Sequence, residues 1–280
     1  MNAHPVYAVE SADAFRLQQQ ADIIASEIRN LESLAKSMED KEPISADGYI
    51  VIDVKSKKII SEKNAGQKFP IASVTKLMNA VVTLENINPK TTIRLTRAML
   101  KPEGQSPSLF PNLKISVANL LKASLIQSVN DAAQALSFAV GQGRFVKLMN
   151  KKARALGMGN TMYYDAHGLN PKNVSTANDL AKLVTHIYQK RPEILDITKN
   201  NNFWLSDAKG RLLKFKNLNN FYTLPHFVGG KTGYLIEAKE TMASVFTINE
   251  KPVIVVVLRS DNVQADTLKL VDLAKTTFPF

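Results

Sequence analysis

The 280-residue chain contains no cysteine, only four histidines and a single tryptophan. The absence of cysteine excludes a disulfide framework, a thiolate metal site and a cysteine nucleophile. The histidines are too scattered along the sequence for a zinc motif. We therefore expect no metal and no other cofactor, so any chemistry has to come from oxygen and nitrogen side chains.

Long hydrophobic runs are also lacking. The longest candidate, from Pro252 to Leu258, is far shorter than the roughly 20 residues that a membrane-spanning helix needs, and it is typical of a buried strand. Residues 1–7 lack the basic and apolar regions of a secretory signal. By this criterion the protein is either cytosolic or exported with its signal removed.

Acidic residues are fewer than basic ones, 25 against 36, which gives a formal net charge of +11. This excess favours anionic surroundings such as nucleic acid, acidic lipid headgroups or cell-wall polyanions. The short basic run 151–154 lies in a helical pattern, where a solvated helix face explains it better than a nucleic-acid site does. We predict no nucleic-acid partner.

A heptad pattern of apolar residues runs from Ala14 to Met38 and predicts a long N-terminal helix that ends near Pro43. The helix either packs against the rest of the chain or forms a coiled coil with a second copy or a partner. Three alanines make its apolar seam thin. We predict two domains, residues 1–42 for this helix and residues 43–280 for a catalytic domain.

Strand-like and helical patterns alternate by region within 43–280. Strand-like runs cover residues 48–54, 58–61, 227–234, 241–247 and 253–259. Helical periodicity covers 70–86 and several segments from 117 to 188, and a final helix is expected at 262–275. Strands at both ends predict an α+β fold, in which an antiparallel sheet built from both ends of the chain carries an inserted all-helical lobe at about 90–190. A cleft should lie between the two.

Ser73 precedes Lys76 by three residues in the predicted helix 70–86, which places both side chains on one face within hydrogen-bond reach. Lysine acts as a base only when neutral, which at pH 7 requires its pKa to fall by roughly three units. The helix N-terminus, burial and a second cation at Lys231 would each lower the pKa of Lys76. The Ser73 N–H, in the first helical turn, is free to stabilise an oxyanion.

Two further motifs complete the pattern. Ser128 and Asn130 lie in a turn entering a helix, where they either cap the helix or relay a proton to a leaving amine and bind an acyl side chain. Lys231 and Thr232 could hold a carboxylate, and the glycines beside them let a substrate backbone approach the strand. Each motif alone is weak, but their order and spacing together predict a serine acyl-transfer site.

With these motifs the chain resembles the low-molecular-mass penicillin-binding proteins, the serine D-Ala-D-Ala carboxypeptidases of peptidase family S11. The similarity runs from about Gly48 to Arg259. It includes the blocks 70–78, 128–133, 156–161, 167–169 and 175–177. It implies the transpeptidase fold shared by penicillin-binding proteins and serine β-lactamases.

Three features depart from the family pattern. Val129 stands where a small residue is usual and could narrow the cleft. Ala238 and Lys239 follow the third motif where Ala-Gly is common, so the turn there could differ. The family's C-terminal β-domain and amphipathic anchor are not in the sequence, so any membrane tether would lie upstream of the N-terminal helix.

The resemblance also implies a role for each site residue. Ser73 would be the nucleophile, Lys76 the general base and Ser128 the proton relay. Asn130, Lys231, Thr232, Gly233 and Tyr234 would bind substrate, with the N–H groups of Ser73 and Tyr234 forming the oxyanion hole. Arg259 is a candidate second clamp for a substrate carboxylate, and His167 is expected to be a packed structural residue.

The implied enzyme is a hydrolase that removes D-alanine from peptidoglycan stem peptides through an acyl-enzyme on Ser73, which β-lactams should also acylate. It would be exported to the periplasm or the outer face of the cytoplasmic membrane, where it would serve cell-wall remodelling and cell shape. An endopeptidase that cleaves cross-links is the alternative, favoured by the short C-terminus.

Two other readings are weaker. A β-lactamase would need a carboxylate to activate the deacylating water, and the sequence around the candidate Glu193 does not match that pattern. A non-catalytic scaffold that binds wall peptides would recruit its partner through the N-terminal helix, but the intact motifs argue against a dead site.

Overall fold

The computed structural model describes residues 20, 21, 24–28, 43–102, 109–206 and 210–277. The chain divides into two compact units, Met1–Ile44 and Ser45–Phe280. In the first unit, residues 20, 21 and 24–28 are helical, with Ile24 and Ile28 exposed. The rest of the predicted heptad helix lies outside the described residues, so its role and the domain boundary at 42/43 stay predictions.

The described residues of the second unit form eleven strands and seven α-helices. The strands are β1 (Gly48–Asp53), β2 (Ile59–Lys63), β3 (Phe69–Pro70), β4 (Thr92–Arg94), β5 (Lys114–Ser116), β6 (Val174–Ser175), β7 (Asn202–Ser206), β8 (Leu212–Lys216), β9 (Phe227–Leu235), β10 (Lys239–Ile248) and β11 (Lys251–Ser260). The helices are α1 (Thr75–Asn86), α2 (Val117–Ile126), α3 (Asn130–Phe138), α4 (Gln142–Ala155), α5 (Ala177–Lys190), α6 (Pro192–Thr198) and α7 (Val263–Thr277). In the described part of the chain, every helix falls short of the length and apolarity needed to cross a membrane.

The main sheet has five antiparallel strands in the order β2-β1-β11-β10-β9. The two ends of the unit meet where β1 pairs with β11, with Gly48 opposite Leu258 and Asp53 opposite Val253. Residues 252–258 of β11 are all buried, because this strand is central and both α5 and α7 pack against it. The predicted antiparallel sheet built from both ends of the chain is confirmed, and β9 forms its edge.

Helix α1 lies at the centre of the helical part. Residues 75–83 are all buried, so the helix has no solvated face over its first two turns. Its buried Asn79 donates through Nδ2 to the carbonyl oxygens of Ala133 (3.1 Å) and Ala166 (2.9 Å), which satisfies the polar group. Helix α1 thereby ties α3 and the loop that contains Ala166 to each other.

Some elements differ from the sequence prediction. Besides the predicted helices, the inserted part contains the short strand pair β4 and β5, with Ile93 opposite Ile115. The α6 helix and the β7–β8 hairpin were not predicted. The hairpin is held by Phe203 and Phe215, whose stacked rings have centroids 4.6 Å apart.

Candidate active site

A cleft of about 470 Å³ lies along the edge strand β9, and residues of all three sequence motifs line it. Lys76 lies beneath the cleft floor and is fully buried. The lining residues are Ser73, Ser128, Asn130, Gly168, Leu169, Leu218, Asn219, Asn220, Phe221, Lys231, Thr232, Gly233, Tyr234, Glu240, Asn262, Val263 and Gln264. The structure therefore brings the widely separated motifs into one site.

Ser73 lies in a 3-10 turn, residues 72–74, directly before α1. The sequence predicted an α-helix from Pro70, which is wrong by five residues at its start. The reason is Ala72, whose φ of 45° is a left-handed conformation that L-residues rarely adopt. The Ile71 N–H donates to the Asn173 carbonyl (3.1 Å) and helps to hold this strained turn, which presents Ser73 to the cleft.

The Lys76 amine makes three short contacts. Its Nζ lies 2.8 Å from Ser73 Oγ, 2.8 Å from Asn130 Oδ1 and 2.6 Å from the His167 carbonyl oxygen. The amide oxygen and the main-chain carbonyl can only accept hydrogen bonds. In the neutral amine they take the two N–H hydrogens, and the lone pair is left facing Ser73, whose hydroxyl then donates to Nζ.

The pKa of Lys76 lies well below its ordinary value, mainly because burial disfavours the charged form and further because of the nearby Lys231 cation. Asp165 opposes this shift. Burial also lowers the pKa of Lys231 to about 7. The sequence analysis expected burial and Lys231 to act on Lys76 in this direction.

Ser128 and Asn130 enter the cleft at the start of α3. Ser128 has a φ of 58°, a second strained non-glycine backbone in the site. Val129 between them is buried in the hydrophobic core and is not a lining residue, so its size does not narrow the cleft. The strained turn points the two polar side chains to one side and the valine to the other.

Strand β9 carries the third motif on the free edge of the sheet. Lys231 is buried and its Nζ donates to the Thr232 carbonyl oxygen (2.7 Å). A methyl group at Gly233 would lie 2.7 Å from the Ser73 nitrogen, so only glycine lets the strand approach the Ser73 turn this closely. After the strand, Lys239 has a φ of 48° where the family commonly has glycine, and its amine pairs with Asp261 (2.7 Å).

Arg259, Glu193 and His167, which the sequence analysis also considered, are not among the residues that line the cleft. Arg259 is not a lining residue, and its guanidinium pairs with Asp47 (3.1 Å), so it is not placed to clamp a substrate in the cleft. Glu193 lies on α6 outside the cleft lining and pairs with Arg191 (3.6 Å). His167 touches the site through its main-chain oxygen, which contacts Lys76.

The sequence analysis missed two parts of the cleft lining, the segment 218–221 and Glu240. The Leu218 N–H donates to the Ile126 carbonyl (3.2 Å), which holds this segment beside the end of α2. Glu240 accepts a hydrogen bond from the Val263 N–H (2.7 Å). No motif marks these positions, although the paired asparagines at 219 and 220 are typical of a turn that could present polar groups.

Comparison with known sequences gives a consistent result. The family model for D-alanyl-D-alanine carboxypeptidases, peptidase family S11, matches residues 35–262. A D-alanyl-D-alanine endopeptidase of Haemophilus influenzae is 37% identical over 199 residues, which cover 69% of this chain and 68% of the relative. The D-alanyl-D-alanine carboxypeptidase DacC of Escherichia coli is 32% identical over 234 residues, covering 77% of this chain and 56% of the relative.

Solved structures agree with this assignment. The D-alanyl-D-alanine carboxypeptidase of Mycobacterium tuberculosis superposes with a TM-score of 0.78 at 25% identity, covering 85% of this chain and 95% of that one. Penicillin-binding protein D2 of Listeria monocytogenes, in its cefotaxime-bound form, gives a TM-score of 0.73 at 29% identity, with 83% and 98% coverage. The expected penicillin-binding-protein fold is confirmed. With the sequence match, the fold and three motifs around one cleft, the chain belongs to the S11 family of D-alanyl-D-alanine carboxypeptidases.

Proposed function

We propose that this serine DD-peptidase uses Ser73 as its nucleophile and Lys76 as the general base, and that it removes the terminal D-alanine from peptidoglycan stem peptides. One observation carries the assignment of roles. The buried Lys76 amine lies 2.8 Å from Ser73 Oγ, and two oxygens that can only accept hydrogen bonds occupy its N–H groups. A neutral lysine in this geometry can accept the serine proton directly.

Acylation then follows from the positions of these atoms. Ser73 Oγ attacks the carbonyl carbon of the penultimate D-alanine while its proton passes to Lys76 Nζ. The carbonyl oxygen becomes an oxyanion, which the N–H groups of Ser73 and Tyr234 stabilise. The close approach of β9 at Gly233 supports this pairing, because it holds the edge strand against the Ser73 turn.

Collapse of this intermediate completes the first half of the reaction. The C–N bond breaks, and the leaving nitrogen takes the proton from Lys76 through the Ser128 hydroxyl. D-Alanine departs and the acyl-enzyme remains on Ser73. Water then attacks the ester carbon while Lys76 accepts its proton, the acyl C–O bond to Ser73 breaks, and Lys76 returns the proton to Ser73 Oγ as the shortened peptide departs.

Substrate binding falls to the other lining residues. An extended peptide can add to the free edge of β9, with its main chain hydrogen-bonded to the strand. Lys231 and Thr232 bind the terminal carboxylate, and the Asn130 amide binds the acyl side. A carboxylate beside Lys231 favours its charged form, so binding should raise the pKa of Lys231 above about 7.

β-Lactams should acylate Ser73 covalently for the same reasons. The similar Listeria monocytogenes penicillin-binding protein has been solved in cefotaxime-bound and ampicillin-bound forms. A β-lactamase activity is not proposed, because Glu193, the candidate for activating a deacylating water, lies outside the cleft lining.

Cleavage of D-Ala-D-Ala-type cross-links is the second candidate. It is favoured by the endopeptidases of Haemophilus influenzae, Pseudomonas aeruginosa and Escherichia coli, which are 37%, 31% and 32% identical to this chain. The same nucleophile and base serve both reactions, and only the leaving amine differs.

Product analysis separates the two candidates. The enzyme is incubated with a stem pentapeptide and, in parallel, with a cross-linked dimer, and the products are identified by mass. Loss of D-alanine from the pentapeptide alone supports the carboxypeptidase. Conversion of the dimer to monomers supports the endopeptidase, and no turnover of either substrate by folded protein contradicts the proposal.

Peptidoglycan substrates imply action outside the cytoplasm. We propose that the enzyme works in the periplasm or at the outer face of the cytoplasmic membrane, in wall remodelling and cell shape. Self-association or partner binding through the predicted N-terminal helix is a further proposal. The heptad pattern between Ala14 and Met38 supports it.

A further inference from the structure

The Asp165 carboxylate organises the turn 165–170, of which Gly168 and Leu169 line the cleft. Its Oδ1 accepts hydrogen bonds from the N–H groups of His167 (3.0 Å) and Gly168 (2.6 Å), and its Oδ2 accepts one from the Asn170 N–H (2.7 Å). The side chain of the fully buried Asn173 adds a further bond to Oδ1 (2.9 Å). One carboxylate thus fixes three main-chain donors of a single turn and the side chain of Asn173 next to it.

This turn reaches both reacting groups of the proposed mechanism. The His167 carbonyl oxygen accepts from Lys76 Nζ at 2.6 Å. Gly168 has a φ of 95°, and a methyl group there would lie 2.0 Å from the Ala72 oxygen and 3.0 Å from the Ser73 nitrogen. The turn therefore supports the lysine on one side and the strained Ser73 turn on the other.

Two buried amides lock the turn to the rest of the site. Asn173 Nδ2 also donates to Thr75 Oγ1 (3.2 Å) at the start of α1. Asn79, one helical turn after Lys76, donates to the Ala166 carbonyl (2.9 Å), directly before His167. Movement of Asp165 would therefore be transmitted to the His167 oxygen and to the Ser73 turn.

We propose that Asp165 is the positioning residue of this site, and that its charge and its hydrogen bonds to the turn 165–170 hold Lys76 and the Ser73 turn in their reacting arrangement. The inference rests on the proposed roles of Ser73 and Lys76. Asp165 itself does not touch the reacting atoms. It acts through the His167 carbonyl and through Gly168.

Because Asp165 is charged, the proposal predicts the direction in which the pKa of Lys76 changes when this charge is removed. The charged and titratable groups that face Lys76 are Lys231 from β9, and Asp165 and His167 from the turn. Burial and Lys231 lower the pKa of Lys76, and Asp165 raises it. Removal of the Asp165 charge therefore lowers the pKa of Lys76 further, so the lysine becomes neutral at a lower pH.

The test is the pH dependence of acylation by a fluorescent penicillin, measured on the full chain from about pH 5 to about pH 9. The fall of the acylation rate towards low pH, here called the acid limb, reports the protonation of the base in the free enzyme. Asp165→Asn keeps the shape of the side chain and removes its charge. We expect the acid limb to move to lower pH by about 0.5 to 1 unit. We also expect the plateau rate to fall about tenfold, because the turn loses part of its order.

Asp266→Asn is the matched control. Asp266 is buried and, like Asp165, accepts several hydrogen bonds, including those from Ser45 Oγ (2.7 Å) and Ser260 Oγ (2.6 Å), but it does not face Lys76. The acid limb of Asp266→Asn should coincide with that of the wild type. A shift of equal size in this control would overturn the proposal, since the effect would then not be specific to Asp165.

An acid limb that stays in place in Asp165→Asn overturns the proposal even if the rate falls, because any packing defect could slow acylation. If that variant does not fold, Asp165→Glu replaces it. The longer side chain keeps the charge but displaces the turn, so the limb should stay and the plateau rate should fall about tenfold. A wild-type rate would overturn the proposal. Failure of the wild type itself to be acylated would instead refute the proposed function.

Discussion

Two lysines lie buried beside one another at the cleft, and their protonation governs the site. Lys76 is fully buried and Lys231 is 3% exposed. Each pays a desolvation cost in its charged form, which lowers its pKa. In its neutral form, which burial favours, Lys76 has a lone pair that faces Ser73. The chemistry of the site therefore costs stability at neutral pH.

The loss of stability that comes from burying a lysine can be measured at Lys231. Its pKa is about 7 in the folded protein against an ordinary 10.5, so between these values the unfolded chain binds more protons, and stability rises with pH. We expect the free energy of unfolding to increase by about 3 kcal/mol between about pH 7 and about pH 9.5 from this group alone. Urea unfolding at both pH values measures it.

Lys231→Met should lose this part of the increase, although Lys76 still adds a rise of the same sign. Lys199→Met is the matched control, because Lys199 is half-exposed and pairs with Asp196 at the surface. The control should keep the full increase. Equal pH dependence in wild type and Lys231→Met would show that Lys231 is charged in the folded protein.

Among the elements, the edge strand β9 and the 3-10 turn before α1 approach each other closely. Gly233 lies where a Cβ atom would be 2.7 Å from the Ser73 nitrogen and 2.8 Å from Thr241 Oγ1. Neither contact can relax cheaply, since one atom is main chain and the other is a buried side chain. The spacing between strand and turn is therefore set by the absence of a side chain.

Gly233→Ala should push β9 away from the Ser73 turn and separate the two proposed oxyanion donors. We expect acylation by penicillin to slow by about 100-fold or more, with folding retained by circular dichroism. Gly159→Ala is the control, because no atom lies within 4 Å of the added methyl group. A rate for Gly233→Ala equal to that of the control would mean that the close approach has no part in catalysis.

The sequence predicted most of these elements and missed others for identifiable reasons. The period of three and four in 117–188 and the β-branched runs at both ends predicted the helices and the sheet. The start of α1 was misplaced because Ala72 adopts a left-handed backbone that its type does not signal. The part played by His167 was missed because a main-chain oxygen carries no signal of residue type. The backbone conformation of Ala72 and the contact made by the His167 carbonyl both depend on tertiary contacts.

On the scale of the whole molecule, the site exists because distant parts of the chain meet. Ser73 comes from the turn before the central helix, Ser128 and Asn130 from the start of α3, and Lys231 from the edge strand β9. Motif order predicted that these residues act together. Their spacing in sequence could not give the depth at which Lys76 is buried, and that burial is the main cause of its lowered pKa.

The most direct test of the account is the mass of the intact protein after incubation with benzylpenicillin, followed by identification of the modified peptide. We predict that the wild type gains one penicillin, attached to Ser73, and that folded Ser73→Ala gains none. Absence of an adduct on folded wild-type protein, or an adduct that persists in Ser73→Ala, would contradict the assignment of Ser73 as the nucleophile.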